Sequence, residues 1–193
     1  MTEGYKYFKM NKPYGVLSKF TDKLRRKTLK EFYNFPKDVY SIGRLDMDSE
    51  GLLLLTNDKK LTDYLLNPVN KHEKEYIVQV EGVPDEIDLN KLREGVIIEK
   101  RKTLPAQVEL IKTPGFPPRI PPVRERNNIP TRWLKIILME GRHRQIRKMT
   151  AHIGYPTLRL VRVRFKNIKL DSLTLGEVKE LTEQEVLGLK NSI

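Results

Sequence analysis

The chain has 193 residues, 37 Lys and Arg against 25 Asp and Glu, and a formal net charge of +12. It contains no cysteine, which excludes disulfides, thiol chemistry and cysteine-ligated zinc or iron–sulfur centres. No run approaches the about 20 apolar residues of a membrane-spanning helix, and "MTEGYKYFKMNKPYG" lacks the apolar core of a secretion signal, so a cytoplasmic protein is expected.

In chain order, "YKYFKMN" reads as a first strand and runs into a Pro13-Tyr14-Gly15 turn. In "KTLKEFY", Thr28 and Glu31 form a capping box that opens a short helix. "VYSIG" is strand-like, and "GLLLLT", apolar on both faces and bounded by turn residues, predicts a buried central strand. "NDKKLTDYLLNP" reads as a helix with Leu61 and Leu65 one turn apart, ended by Pro68. "KEYIVQVEG" alternates as a half-buried strand, and "DEIDLNKLREG" is an amphipathic helix stopped by Gly95.

Further strands follow at "GVIIE", "LPAQVELI" and "RWLKIILME". "HRQIRKMTAHIG" is a helix with Ile146, Met149 and Ile153 on one stripe. "TLRLVRVRF" alternates Val161, Val163 and Phe165 against Arg162 and Arg164. Strands and helices mix without a regular βαβ rhythm and no repeat is visible, which predicts an α+β fold with a mixed, mostly antiparallel sheet.

The positive charge is concentrated. Between Arg119 and Lys148 lie nine Lys or Arg and only two acids, Glu125 and Glu140. Such a field favours polyanions, and nucleic acid is the partner it fits first. Within it, "TPGFPPRIPPVRERNNIP" (113–130) holds six of the twelve prolines and three arginines. Proline at that density excludes a helix interior or a core strand. Of the two remaining readings, a disordered linker and an ordered basic insertion loop, the second is preferred, because the following strand and helix need the preceding sheet.

"GRLDMDSEGLLLLT" (43–56) sets Asp46, Asp48 and Glu50 at alternate positions. The pattern imitates the start of a calcium loop, but the twelfth position is Asn57 and the seventh to tenth are leucines, so that reading fails. A pair of carboxylates flanking a glycosidic bond stays open. Asp48 and Glu50 read as solvated turn residues. Asp46, beside Gly43-Arg44-Leu45 and just before the buried strand, sits where a rigid edge could present a reactive carboxylate.

These residues carry a resemblance. "GRLDMDSEGLLLLTND" closely resembles the central motif of the RsuA/RluB/RluE group of bacterial ribosomal RNA pseudouridine synthases. "NKPYGVL" (11–17) looks like their first motif, "KEYIVQVEG" like the strand carrying their active-site tyrosine, and "EGRHRQIRKMTAHIGYPTLRLVR" (140–162) like their third motif. The motifs occur in the group's order from about residue 5 to 180, and "PPVRERNNIPTRWLKI" looks most like its compact large-subunit members.

The resemblance implies the pseudouridine synthase fold, with two subdomains and a cleft between them, in one catalytic domain spanning residues 1–193. No S4 domain is expected before the first motif. It implies isomerisation of one uridine of 23S ribosomal RNA, in the peptidyl-transferase region, on a flipped-out base, by a monomer without cofactor or metal. Asp46 would be the essential carboxylate, with covalent or proton-abstracting action both open. Arg147 would be its counter-charge, and Tyr76 would stack on the uracil and take the C5 proton. Arg44 would fill the space of the flipped base or hold a phosphate. Lys12, Arg124, Arg126, Arg142, Arg144 and Lys148 complete the expected RNA-binding set, with Lys12 shaping the pocket floor. A sister synthase with another target, or a non-catalytic assembly factor on the same scaffold, are the competing readings.

Overall fold

Strand β1 (Tyr7–Lys12) is the spine of the first of two compact units in the computed structural model, which describes residues 4–191 except 125 and 127. That unit comprises Met1–His72 and Arg162–Ile193. On one side β1 pairs antiparallel with β3 (Glu50–Thr56), with β2 (Tyr40–Ser41) also on β3. On its other side lies β11 (Val178–Glu180). Every residue of β3 is buried, as the leucine run predicts, because both faces of the strand are covered.

Phe8, Met10, Val16, Leu29, Val39, Leu45, Leu53 and Leu55 form the core of this unit, with Phe20, Phe32 and Phe35 packed against it. The Thr28–Glu31 capping box is present and opens a short helix as expected, a single 3-10 turn, Leu29–Glu31. Helix α1 (Lys59–Leu66) follows β3, and α4 (Glu183–Lys190) completes the unit.

One acid ties these pieces together. Asp58 caps α1 by accepting the Leu61 N–H at 3.0 Å, accepts the Tyr7 hydroxyl of β1 at 2.8 Å, and meets the Lys190 ammonium of α4 at 3.3 Å. Burial alone would raise its pKa. The Leu61 N–H, the Tyr7 hydroxyl and Lys190 outweigh it and hold the carboxyl below the usual range.

The second unit is Glu73–Val161. Strand β4 (Lys74–Glu81) pairs antiparallel with β8 (Thr131–Leu138), and β8 with β7 (Gln107–Ile111). Helix α2 (Glu86–Glu94) and α3 (Gln145–His152) pack on them. A small hairpin of β5 (Ile97–Ile98) and β6 (Arg101–Lys102) lies between α2 and β7 in sequence. The core includes Val78, Val80, Leu92, Val108, Leu134, Ile136, Ile146 and Met149.

Strand β9 (Thr157–Phe165) belongs by its first residues to this unit and by its last to the other, where β10 (Ile168–Lys169) pairs with it. Among the described residues, four α-helices with mostly antiparallel strands give the α+β class expected. The strand predictions are met, with "VYSIG" reduced to two residues and "GVIIE" to the first arm of the hairpin.

The proline-rich segment 113–130 forms no regular element among its described residues; positions 125 and 127, including the expected charge at Glu125, lie outside them. Arginines hold its carbonyls. Arg119 donates to Pro121 and Pro122 at 2.9 Å each and to Leu158 at 3.3 Å, while Arg159 donates to Pro117 at 2.9 Å and lies over the Phe116 ring. Arg159 is thus a buried structural residue, and Phe116 rests on Trp133.

Asp58→Ala is expected to lower stability by at least about 1 kcal/mol, the usual worth of a lost N-cap, in urea denaturation at neutral pH. Because the native carboxyl is held below its ordinary value, its contribution is present above that value and fades as pH falls below about 3.8. The gap between wild type and variant therefore narrows in acid.

Candidate active site

The first unit presents Asp46 on a tight turn. The Ser49 N–H donates to the Asp46 carbonyl at 3.0 Å, closing residues 46–49 between the chain entering from Leu45 and strand β3. The "NKPYGVLS" segment grips that turn from beside it. The Gly15 N–H donates to the Met47 carbonyl at 2.8 Å, at a glycine whose φ of +79° suits the Pro-Tyr-Gly turn. Ser18 brackets Leu45: its Oγ donates to the Leu45 carbonyl at 2.7 Å and accepts the Leu45 N–H at 3.1 Å. The residues before and after Asp46 are fixed by separate bonds, which limits the freedom of the carboxylate between them. Asp46 and Asp48 are half-buried and Arg44 is exposed.

Beneath this turn lies a buried layer of charge. Lys12 has no solvent exposure, and its ammonium donates to the carbonyls of Pro13 at 2.9 Å and Val16 at 2.7 Å. This corrects the expectation that Lys12 binds RNA directly, since those bonds turn it inward to hold the first-motif turn. Burial pushes its pKa down to about 7, while Glu50, Asp48 and Asp46 act in the opposite sense and Arg162 adds to the fall.

Glu50 is also buried, at 2% exposure, which overturns its reading as a solvated turn residue; it begins β3 with the leucines. Arg162, 3% exposed, donates from Nε to the Leu52 carbonyl at 2.7 Å and lies over Phe165. The alternating pattern of β9 concealed it, because buried charge looks like a solvent face when one sequence is read alone.

The second unit carries Tyr76 and Arg147. Tyr76, on β4 opposite Ile136 of β8, is half-buried and packs against the core of this unit. Arg147, on α3, is half-buried and donates to the Thr157 carbonyl at 3.3 Å. The entry to α3 is set by polar contacts: Gln145 accepts the Arg142 N–H at 3.0 Å and donates to the Glu140 carboxylate at 2.6 Å, which also accepts the Leu104 N–H at 2.9 Å. Arg144 takes a left-handed φ of +52° at this entry and is half-buried.

The expected RNA-binding residues divide into two kinds. Arg124 and Arg126 are exposed, the latter 3.3 Å from Glu81. Arg142 is spent on main chain, donating to Ile98 at 2.6 Å and Arg101 at 3.1 Å, and Lys148 pairs with Glu99. Among the described residues no group of three or more His, Cys, Asp or Glu could hold a metal ion.

Residues 6–152 match the RNA pseudouridylate synthase family. The chain belongs to this family. It is an RNA pseudouridine synthase, an isomerase. The chain is 56% identical over 171 residues to the ribosomal large subunit pseudouridine synthase E of Vibrio parahaemolyticus, covering 89% of this chain and 71% of that protein. It is 51% identical over 167 residues to the enzyme of the same name from Xanthomonas axonopodis pv. citri, covering 85% and 87%. A solved structure described as a pseudouridylate synthase aligns with a TM-score of 0.82 at 29% identity, over 97% of this chain and 74% of that one. The synthase fold implied by the motifs is the fold observed.

The displaced pKa of Lys12 has a measurable consequence. The unfolded chain holds this proton up to about pH 10.5 and the folded synthase only to about 7, so unfolding takes up a proton between those values. Lys12 thus makes stability rise with pH across that window. Lys12→Met is expected to flatten the rise in the urea midpoint between about pH 7 and 9.5; an equal slope in both proteins would contradict the burial of a titrating ammonium.

Proposed function

We propose that the synthase converts one uridine of 23S ribosomal RNA, in the peptidyl-transferase region of the large subunit, to pseudouridine in the cytoplasm. The observation that carries this reading is the 50–56% identity, over 85–89% of the chain, to four enzymes named ribosomal large subunit pseudouridine synthase E. The +12 charge fits a polyanionic substrate, and no helix among the described residues is long and apolar enough to cross a membrane.

The reaction breaks the C1′–N1 glycosidic bond, turns the uracil and joins C1′ to C5. N1 gains a proton and C5 loses one, so the product is an isomer and no external oxidant or group donor enters. The target base leaves the helical stack to be reached. Asp46 is the carboxylate that the reaction requires, and the bonds at Leu45, Met47 and Ser49 keep it in one place. A carboxylate in a shielded site stays ionised when a cation stands by, and Arg147 supplies that charge. Tyr76 stacks on the uracil and receives the C5 proton. Arg44, exposed beside Asp46 in the chain, fills the space of the flipped base or holds a phosphate. Arg124, Arg126 and Arg144 contribute to the RNA footprint, and the enzyme acts as a monomer.

Asp46→Asn is expected to abolish pseudouridine formation while RNA affinity stays within a few-fold; turnover by that variant would remove Asp46 from its role. Mapping pseudouridines in ribosomal RNA from a deletion strain is expected to show one missing site in the peptidyl-transferase region. A lost site elsewhere would point to a sister target, and no lost site would favour an assembly factor. Affinity is expected to fall steeply with salt, as phosphate contacts require.

A further inference from the structure

The β5–β6 hairpin carries three consecutive cations, Lys100, Arg101 and Lys102, all exposed. Among the described residues their side chains enter no hydrogen bond or ion pair. Two basic residues of α3 and its approach, Arg142 and Lys148, behave differently, because the hairpin itself consumes them. Arg142 donates to the carbonyls on both arms of the turn, Ile98 at 2.6 Å and Arg101 at 3.1 Å. Lys148 pairs with Glu99 at the tip, and this cation, with Arg142 and His143 nearby, holds the Glu99 carboxyl below its usual range. The single acid of the turn is therefore neutralised, and the hairpin faces solvent as positive charge.

The backbone adds an independent sign. Glu99 and Lys100 both take positive φ, +50° and +62°, and among the described residues no other adjacent pair of non-glycine residues does so. A two-residue hairpin with both central residues in this region is ordinarily filled by Asn-Gly or Asp-Gly, because other L residues are strained there. Here the turn keeps two long charged side chains instead. One, Glu99, serves the clamp from α3, and the other, Lys100, is exposed and pairs with no charge among the described residues. Strain retained where an easier residue exists is the mark of a position selected for what its side chain contacts.

We propose that the β5–β6 hairpin is a phosphate-gripping element for the substrate RNA, held in place by Arg142 and Lys148. Three exposed cations on one turn, unpaired among the described residues, match a run of backbone phosphates, which position a nucleic acid without reading its sequence. The clamp comes from the segment and helix that also carry Arg147, so the hairpin and that arginine share one support. The inference rests on RNA from the large ribosomal subunit being the substrate, and it assigns to Arg142 and Lys148 a positioning role in place of direct RNA contact.

The test uses the whole protein and a transcript of the peptidyl-transferase region of 23S ribosomal RNA. Replacing Lys100, Arg101 and Lys102 together by Gln is expected to weaken binding about tenfold at about 0.15 M salt and to make the dependence of log K on log salt shallower by about 2. Turnover at saturating RNA should stay within about threefold. Lys100→Gly should raise the melting temperature, since glycine relieves the turn, and still weaken RNA binding a few-fold. Misfolding cannot produce that combination.

An unchanged affinity and salt slope in the triple variant overturn the proposal, as does a more stable Lys100→Gly protein that binds RNA as the wild type does. Wild-type pseudouridine formation on the transcript is scored separately. Wild type that binds the transcript without modifying it would sink the target assignment, while the variants' affinities would still decide the role of the hairpin.

Discussion

The hydrogen bonds between residues 15 and 18 and residues 45 and 47 are what hold Asp46, the proposed reactive carboxylate, in the first unit. A carboxylate on a loop is only as well placed as the peptides on either side of it. Here the flanking peptides are each bonded to a segment that Lys12 has already drawn tight through the carbonyls of Pro13 and Val16. The ammonium is buried at a cost, visible in its displaced proton affinity, and the nearby carboxylates offset part of it. Removing either sign of charge from this layer would leave the other uncompensated. Lys12, Glu50 and Arg162 therefore belong together as the foundation of the turn above them.

How much of this the sequence discloses depends on what each residue does. Leu52–Leu55 announce a doubly covered strand, and the Thr28–Glu31 box is legible because caps are local. The proposal of Asp46 among three acids also comes from local context, helped by the resemblance of its motif to known synthases. Burial of charge is another matter. Lys12, Glu50, Arg159 and Arg162 are buried because segments elsewhere in the fold cover them, and no periodicity within one segment can report that. The turn at Glu99-Lys100 was hidden for a related reason: it lacks the Asn or Gly by which such turns are recognised.

The same distinction sorts the arginines. A sequence rich in cations suggests a uniform binding surface, yet several of them work inside the protein. Arg119 and Arg159 hold the carbonyls of a proline-rich loop that has few N–H groups with which to bond itself, and Arg142 holds a hairpin. Arginine suits this work because its planar fork reaches two carbonyls at once without losing its charge. Net charge thus overstates the cations left exposed on the surface, among which Arg124 and the hairpin triad remain.

The division of the chain sets an order of assembly during synthesis. The unit Glu73–Val161 is contiguous, and its β4–β8 and β8–β7 pairs are complete once residue 138 has emerged. The other unit must wait. Strand β1, made first, gains β11 only when residues 178–180 appear, and Asp58 meets Lys190 later still. An early strand with an open edge is an invitation to wrong pairing in a nascent chain. Lys9 of β1 is one safeguard: its ammonium, paired at 2.7 Å with Glu185 and at 3.7 Å with Asp171 in the finished fold, would be an unpaired charge in any sheet that formed before those two residues appear.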